Sequence, residues 1–297
     1  MSRRAQPAIL APVPRAGRFM TLALRRGADP ERALAALASL THLDKLVIGL
    51  GTPLFSAASQ AIPGLREFPS LGGRGVSIPS TQEAVWIFVS GPDAGTVLIE
   101  ARRVLAALAD ALELVEDVAS FMFADSRDLS GYEDGTENPT GERATAAAIV
   151  SDAEDGLIGS SFVAVERWIH DLDALARLSV DQRDAIIGRR LSDNEEIEDA
   201  PPSAHVKRTA QENFDPPAFM LRRSMPWGDI REHGLYFVAY GATLDAFERA
   251  LVRMTGGEDG IADGLFRFSR PVTGGYYWCP PRNGEHLDLR AVGVEAV

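Results

Sequence analysis

The sequence predicts an α+β fold made of two similar halves, and three observations support this prediction. Apolar runs with strand character alternate with helical patterns along the chain. The stretch AVWIFVSGPDAG, which precedes a helical pattern, is similar to GLYFVAYGATLD, which also precedes one. With 297 residues, of which 45% are hydrophobic, the chain can form two ordinary cores. We therefore predict an internal duplication, with one domain at 1–150 and a second at 151–297.

The first half has the element order of a known two-layer plan. The predicted elements are strand Phe19–Leu24, helix Pro30–Leu40, strand Lys45–Leu50, strand Ala84–Ser90, a helix over about Thr96–Leu114 and a strand near Ser120–Phe123. If a weak strand lies within the Pro- and Gly-rich stretch Pro53–Pro79, the order is β-α-β-β-α-β. This is the split βαβ plan of ferredoxin-like domains.

The second half repeats the plan more loosely. Its predicted elements are strand Ser161–Val165, a helical stretch Asp171–Arg190, the runs Ala218–Arg222 and Gly234–Tyr240, helix Leu244–Met254 and the run Leu265–Ser269. The acidic segment Ser192–Pro202 is typical of an exposed loop. The predicted fold class is therefore α+β, with two ferredoxin-like domains in one chain.

Composition excludes several classes of protein. The formal net charge is −12, and the chain has no basic stripe interleaved with aromatic residues, which argues against nucleic-acid binding. The single cysteine, Cys279, excludes an intramolecular disulfide and a multi-cysteine metal site. The N-terminal apolar run is broken by Pro7, Pro12 and Pro14, unlike a secretory signal, and no stretch approaches about 20 apolar residues. We expect a soluble, cytoplasmic protein.

An acidic turn, GYEDGTENPTG at Gly131–Gly141, is the first candidate for chemistry. Asp134 lies between glycines, so its carboxylate can project from a loop whose backbone approaches a ligand. An ordinary turn with an Asx hydrogen bond explains the same residues. Calcium binding is disfavoured, because the segment lacks the alternating ligand positions of an EF-hand loop.

His205 is the second candidate, because it follows a Pro-rich loop and precedes Lys207 and Arg208. It is either a hydrogen-bonded surface histidine or a haem ligand, whose other ring nitrogen would donate to an acceptor such as a carboxylate. Cys279 could also hold haem iron as a thiolate, but it follows three aromatic residues and is more typical of a small core residue.

Arg222 and Arg223 form the third candidate, at the end of an apolar stretch. On a strand their side chains point to opposite faces, so at most one can face a given pocket. A solvated pair of arginines at a sheet edge is the alternative.

Taken together and in order, these segments resemble the dye-decolorizing haem peroxidase family, particularly its bacterial type B class. The resemblance lies in GYEDGTENP (131–139), HVKRT (205–209), LRRSMPWG (221–228), HGLYFVAY (233–240) and LFRFSRPVTGGYY (265–277). The strand and helix layout from about residue 17 to 282 is also similar. The resemblance implies the DyP-type peroxidase fold, with haem b (iron protoporphyrin IX) held by the C-terminal domain against the loop that carries Asp134.

The family pattern implies a proximal side built on His205 as the iron ligand. Asp263, 58 residues further along the chain, matches the acidic residue that accepts the other ring N–H. Such a partner gives the imidazole anionic character and increases its electron donation to iron. Arg208 is expected to pair with a haem propionate, because a guanidinium suits a carboxylate.

The family pattern also implies that Asp134 and Arg222 activate peroxide. Asp134 would accept and return a proton, and Arg222 would stabilise the charge on the leaving oxygen. Arg222 is chosen over Arg223 because Arg222-Arg223-Ser224 matches the pattern Arg-x-Ser. Since an unperturbed Asp has a pKa of about 3.9, against about 6.5 for His, turnover at acidic pH is predicted.

Three further residues complete the implied site. Ser224 is expected to help order water near Arg222, and Leu235 and Phe237, which share a strand face, are expected to form a dry wall above the haem. Because such a wall excludes bulky dyes, large reductants would donate electrons through surface tyrosines or tryptophans; the tryptophans are Trp86, Trp168, Trp227 and Trp278.

The predicted function is a haem b peroxidase that reduces hydrogen peroxide through compound I and oxidises phenolic or dye-like donors. One alternative is haem binding, delivery or iron removal of the deferrochelatase type, which needs His205 but not Asp134 and Arg222. Another is a ferredoxin-like binding module without a cofactor, since this fold hosts many functions. The expected partners are hydrogen peroxide, small organic reductants and further copies of the chain. An encapsulin shell is not favoured, because the tail HLDLRAVGVEAV has no long Gly/Ser linker.

Overall fold

The computed structural model describes residues 5–294 except residues 42, 74 and 155, and it contains both helices and sheet, which confirms the α+β class. The strands are, in chain order, β1 (Ala16–Leu24), β2 (Leu46–Leu50), β3 (Leu71–Gly73), β4 (Val76–Ile78), β5 (Val85–Gly91), β6 (Leu112–Phe121), β7 (Ser161–His170), β8 (Leu221–Arg222), β9 (Met225–Gly228), β10 (His233–Gly241), β11 (Ser269–Pro271), β12 (Gly275–Cys279), β13 (Arg282–Asn283) and β14 (His286–Leu287). The α-helices are α1 (Pro7–Leu10), α2 (Pro30–Ala38), α3 (Thr52–Ala57), α4 (Ala94–Leu108), α5 (Gly141–Ala148), α6 (Leu172–Ala176), α7 (Val180–Ile187), α8 (His205–Thr209) and α9 (Asp245–Met254).

The main sheet closes into a barrel of antiparallel strands. Going round the ring, β7 pairs with β12, β12 with β2, β2 with β5, β5 with β1, β1 with β6, β6 with β9, β9 with β10, and β10 with β7 again. The first half contributes β2-β5-β1-β6 and the second half β9-β10-β7-β12. Each set has the strand order of a ferredoxin-like sheet, since the third strand of each half lies between its second and its first.

The two faces of the barrel strands bury different groups. Tyr236, Val238 and Tyr240 of β10 belong to the interior cluster of the barrel, in which the ring of Phe19 stacks on Tyr236 at 4.0 Å between ring centroids. The alternate residues Leu235 and Phe237 point to the opposite face, as the period of two predicts. Helices α2, α4 and α9 cover this outer face, and their apolar side chains form the larger core.

Local sequence signals explain where several helices begin. Asp29 accepts a hydrogen bond from the backbone N–H of Glu31 and precedes Pro30 at the first position of α2. Asp93 caps α4 in the same way, through the N–H of Thr96. Ser179 and Gln182 form a capping box that starts α7.

Three predicted elements differ from the structure. The helix predicted to end at Leu114 stops at Leu108, and Leu112–Phe121 is strand β6, because these residues pair with β1 in the barrel. The stretch Asp171–Arg190 is two short helices rather than one, since Ser179 caps a new helix inside it. The weak strand expected within Pro53–Pro79 is a separate hairpin, β3–β4, and the βαββαβ order is complete without it.

The proposed boundary near residue 150 stays a prediction. Strands on both sides of that residue share one barrel, so hydrogen-bonded sheet runs across both halves. Within the described part of the chain, no helix has the length and apolar character needed to cross a membrane.

Candidate active site

A cavity lies against the outer face of β7 and β10, between the loop that carries Asp134 and helices α8 and α9. It contains about 980 Å³ of empty space, part of which is open to solvent. Its apolar lining includes Trp168, Met220, Leu235, Phe237, Phe247 and Leu251. Its polar lining includes Asp134, Glu166, His170, His205 and Arg222. An apolar pocket with a few convergent polar groups is typical of a cofactor site.

His205 is the first residue of α8 and presents its imidazole to this cavity. Its Nδ1 is 2.8 Å from Oδ2 of Asp263, whose side chain is completely buried. The other oxygen of Asp263 accepts a hydrogen bond from the backbone N–H of Leu265, so the carboxylate is held in place. When Nδ1–H donates to this carboxylate, Nε2 keeps its lone pair for a metal ion.

Asp134 lies on a loop in which the flanking glycines have positive φ, 93° at Gly131 and 78° at Gly135. Glycine adopts these conformations at little steric cost, and they bring the half-buried aspartate to the cavity wall. Burial raises the pKa of Asp134, the positive charge of Arg222 opposes this rise, and the negative charge of Asp128 adds to it. The unperturbed pKa used in the sequence-based reasoning therefore does not apply to this carboxyl.

Arg222 lines the cavity, and Arg223 does not. The side chain of Asn138 fixes the backbone of Arg222: its Oδ1 accepts from the N–H at 2.8 Å, and its Nδ2 donates to the carbonyl at 3.0 Å. The Nε of Arg222 is buried and has no hydrogen-bond partner in the described part of the chain. Arg223 instead donates to the carbonyl of Ala11 at 2.7 Å. The two guanidiniums therefore lie on opposite sides of the strand.

Two predicted cavity residues lie elsewhere. Arg208 is buried and binds Asp259 with both terminal nitrogens, at 2.7 and 2.9 Å, and it also donates to the carbonyl of Arg253. It is absent from the cavity lining, and the expected pairing with a haem propionate stays a prediction. Ser224 is also outside the lining; its Oγ accepts from the N–H of Val238 at 3.4 Å. This hydroxyl therefore contacts the barrel backbone, and its expected role in ordering water near Arg222 stays a prediction.

Three residues of β7 line the cavity: Glu166, Trp168 and His170. Sequence reasoning missed Glu166 and His170, and it named Trp168 only as a candidate surface route for electrons. The three residues occupy alternate positions on one face of the strand, where Leu235 pairs with Trp168 and Phe237 with Glu166. The indole N–H of Trp168 donates to Oε2 of Glu166 at 3.0 Å. The missed signal was a period-two series of polar and aromatic residues beyond Val165, where the predicted strand stopped.

Glu166 gives a testable pH dependence of stability. Burial raises the pKa of Glu166 to about 8. Between the pKa of an unfolded Glu, about 4.3, and this value, the folded chain binds a proton that the unfolded chain releases, so stability falls as pH rises. We expect Glu166→Gln to increase the unfolding free energy of the haem-free protein by roughly 3 kcal/mol at about pH 7, and hardly at all near pH 4.5.

Urea unfolding at the two pH values measures this difference, and Glu133→Gln is a suitable control because Glu133 is exposed and lines the same cavity. An equal gain at both pH values would show that the effect comes from packing and not from the charge of Glu166.

Comparisons with known proteins agree with this geometry. The family model described as Dyp-type peroxidase, C-terminal, matches residues 125–284, more than half of the chain. A dye-decolorizing peroxidase of Mycobacterium tuberculosis is 31% identical over 294 residues, covering 92% of this chain and 87% of that protein. A dye-decolorizing protein from V. cholerae has a TM-score of 0.84 and 31% identity, covering 94% of this chain and 97% of its own.

A variant of DypB from Rhodococcus jostii RHA1, solved in complex with heme, has a TM-score of 0.83 and 29% identity over 94% of this chain and 97% of its own. These relatives favour a peroxidase over the haem-delivery alternative. The chain belongs to the Dyp-type peroxidase family, and it is a haem-dependent peroxidase with that family's α+β fold.

Proposed function

We propose that this peroxidase reduces hydrogen peroxide at the cavity and oxidises phenolic or dye-like donors, with His205 as the iron ligand and Asp134 and Arg222 as the peroxide-activating pair. One observation carries the proposal: a single cavity is lined by a carboxylate-supported imidazole, by Asp134 and by an arginine whose buried Nε is unpaired. A haem-delivery protein would need only the first of these.

The residues of the cavity fit haem. The imidazole of His205 offers Nε2 to iron, and Leu235 and Phe237 offer apolar surface to a porphyrin. The buried, unpaired Nε of Arg222 indicates that a polar or anionic group completes the site. When bound, haem supplies a redox-active iron that breaks the oxygen–oxygen bond and holds the oxidising equivalents.

The chain's own residues would handle the proton and the charge. A carboxylate oxygen of Asp134 takes a proton from one peroxide oxygen and returns it to the other. The guanidinium of Arg222 lies close enough for its charge to act on Asp134, and it stabilises the negative charge that develops on the leaving oxygen. Asp263 keeps the Nδ1 proton of His205 and so maintains the ligating tautomer.

Large donors would require a route other than entry into the cavity. Trp86 and Trp278 are completely buried, whereas Trp168 lines the cavity at 4% exposure. Of the predicted tryptophans, Trp168 is therefore best placed to receive an oxidising equivalent from the cavity. Self-association and a cytoplasmic location are proposed from the family likeness alone.

The test of the proposal is the rate of peroxide activation as a function of pH, in wild type and Asp134→Asn. A protonated Asp134 cannot accept a proton, so the wild-type rate should fall as pH falls through the pKa of Asp134, which lies above its usual value. We expect Asp134→Asn to lower the rate by about 10²–10⁴-fold and to remove this limb of the profile.

Stopped-flow absorbance after haemin reconstitution measures the rate, and hydrogen-peroxide-dependent bleaching of an anthraquinone dye measures turnover. Glu133→Gln is the control, since Glu133 is next to Asp134 but exposed. Unchanged rates and an unchanged profile in Asp134→Asn would rule out Asp134 as the proton acceptor.

A further inference from the structure

Peroxide reduction requires protons as well as electrons. Each hydrogen peroxide takes up two electrons and two protons and gives two molecules of water. A donor too large for the cavity releases its own protons outside it, so protons have to reach Asp134 by another route. The following inference rests on the proposed function, because it concerns how that site receives protons.

A chain of three hydrogen-bonded side chains lies at one end of the cavity. The ring of His170, at the end of β7, has Nε2 at 3.0 Å from Oδ1 of Asp128 and Nδ1 at 2.6 Å from Oγ of Ser269. All three residues line the cavity, and His170 is only 6% exposed. Both ring nitrogens are therefore engaged by groups that can exchange protons with them.

The chain connects at one end with Asp134. The negative charge of Asp128 raises the pKa of Asp134, so the two carboxyl groups are close enough to interact. The second oxygen of Asp128 accepts from the N–H of Ser130 at 2.8 Å, which holds the carboxylate beside the loop. The backbone N–H of Asp128 donates to the carbonyl of Tyr132 at 2.9 Å, so Asp128 and Asp134 lie on one folded segment, and both line the cavity.

The other end of the chain leads out of the cavity. Ser269 also lines a second, open groove, whose lining comes from Ser203 and from parts of the segments 75–79 and 262–272. The same hydroxyl-bearing residue thus lies between the open groove and the inner cavity. The groove can supply water, which the apolar walls of the cavity disfavour.

We propose that Ser269, His170 and Asp128 conduct protons from the outer groove to the carboxyl of Asp134. Ser269 takes a proton from groove water and passes its own to Nδ1 of His170. The ring releases its Nε2 proton to Asp128, and Asp128 passes it to the carboxylate of Asp134. One proton enters at Ser269 for each that leaves at Asp128. Tautomerisation of the neutral ring then resets the chain.

Within the hydrogen-bonded series Ser269–His170–Asp128, the imidazole of His170 can carry a proton on either of its two ring nitrogens. Other titratable or charged groups line the same cavity: Tyr132, Glu133, Asp134, Glu166, His205 and Arg222. Glu166 is held by Trp168, and His205 by Asp263, so neither shares a hydrogen bond with His170. The ring of Phe268 packs against His170 at 5.7 Å between centroids and shields its face.

The first test uses protein filled with zinc protoporphyrin, which does not turn over, and labelled histidine. Nitrogen NMR should show the His170 ring protons exchanging with water, and Ser269→Ala should slow this exchange about tenfold or more, because the entrance is lost. Ser269→Thr keeps the hydroxyl and should restore wild-type exchange. Equal exchange in all three proteins would overturn the path.

The second test uses the haem-loaded protein in single turnover with a dye as the donor. His170→Gln can keep hydrogen bonds but cannot carry a proton, so we expect the steps that return the enzyme to its resting state to slow about tenfold or more and their solvent isotope effect to change. Haem affinity and the rate of peroxide activation are measured in parallel, so that a change in either is not mistaken for slower proton delivery. Added imidazole should accelerate His170→Gly. The control is His233→Gln, at a partly exposed histidine outside the cavity lining.

The outcomes distinguish failure of the proton path from failure of the proposed peroxidase function. If Asp134→Asn abolishes peroxide activation while His170→Gln and Ser269→Ala behave as wild type, the proposed function stands and the proton path is wrong. If Asp134→Asn has no effect, the acceptor is wrong whatever His170 does. Loss of haem binding in His170→Gln, with wild-type exchange in Ser269→Ala, would make the histidine structural and overturn the path.

Discussion

Replacing His205 with alanine is expected to abolish stoichiometric haem binding. Iron would lose its imidazole ligand, and the apolar walls at Leu235 and Phe237 offer no other ligating atom. Titration with haemin should give a sharp, saturating Soret change in wild type and a weak, non-saturating one in His205→Ala. Peroxide turnover should fall with it to the level of free haemin.

Two variants make this result specific. Asp263→Asn keeps the ligand but replaces the charged acceptor of its Nδ1 proton, and we expect a 10–100-fold loss of affinity or activity. His233→Ala removes a partly exposed histidine whose Nδ1 bonds to the backbone carbonyl of Asp229 and which does not line the cavity, so this variant should bind haem as wild type does. Retention of an imidazole-type spectrum in His205→Ala would show that another residue holds the iron.

The second large effect is expected from Arg222→Leu. The guanidinium would no longer stabilise charge developing on the leaving oxygen, and loss of one such donor typically costs about 10²–10³-fold in rate. The measurement is the second-order rate constant of the reconstituted protein with hydrogen peroxide. Haem affinity is measured in parallel, so that a change in loading is not mistaken for a change in rate.

The neighbouring arginine is a matched control in the same strand. Arg223 donates to the carbonyl of Ala11, so Arg223→Leu should lower the unfolding free energy and leave the peroxide rate close to wild type. The reverse pattern, with loss of peroxide reactivity in Arg223→Leu alone, would reverse the assignment. The contrast does not depend on the chemical nature of the substitution, because both variants make the same change.

Local pattern predicted much of the fold but not the transitions between elements. Strands β1, β2, β5 and β10 have apolar runs that identify them from sequence. The end of α4 was misplaced because Leu112 and Leu114 continue a helical spacing, and only pairing with β1 makes them strand. Strand β9 and the short helix α8 were missed, because they are stabilised by tertiary contacts rather than by a long periodic pattern.

Site residues that belong to a family motif could be predicted from the sequence. Residues that reach the cavity, or fail to reach it, because of the direction of their side chains in the folded protein could not. His205 and Asp263, Asp134 and Arg222 could all be identified from motifs, and the structure brings them to one cavity or its immediate support. Arg208 was expected to pair with a haem propionate, and no motif predicted that Asp259, 51 residues away, binds its guanidinium. Glu166 was missed because the sequence alone does not show which residues of β7 face the barrel interior and which face the cavity.

The closed barrel has two narrow seams between its halves. The pairing of β6 with β9 involves Ser120 and Trp227, and that of β12 with β2 involves Trp278 and Leu50, each a single residue pair in register. Few backbone bonds therefore hold the halves together. Most of the cohesion comes from the aromatic interior, where the indole N–H of Trp86 bonds to the hydroxyl of Tyr236 at 3.2 Å.

Neither half of the barrel therefore forms a complete apolar interior by itself. The first half of the sequence contributes Phe19 and Trp86 to this interior, and the second half contributes Tyr236 and Tyr277. Each of these rings would be exposed to water if the other half were absent. Because the seams contain few backbone hydrogen bonds, the cooperativity of folding between the two halves depends on side-chain packing in the barrel interior. Damage to β1 is consequently transmitted to β10, the strand that carries Leu235 and Phe237 of the cavity wall, although the two strands lie more than 200 residues apart in the chain.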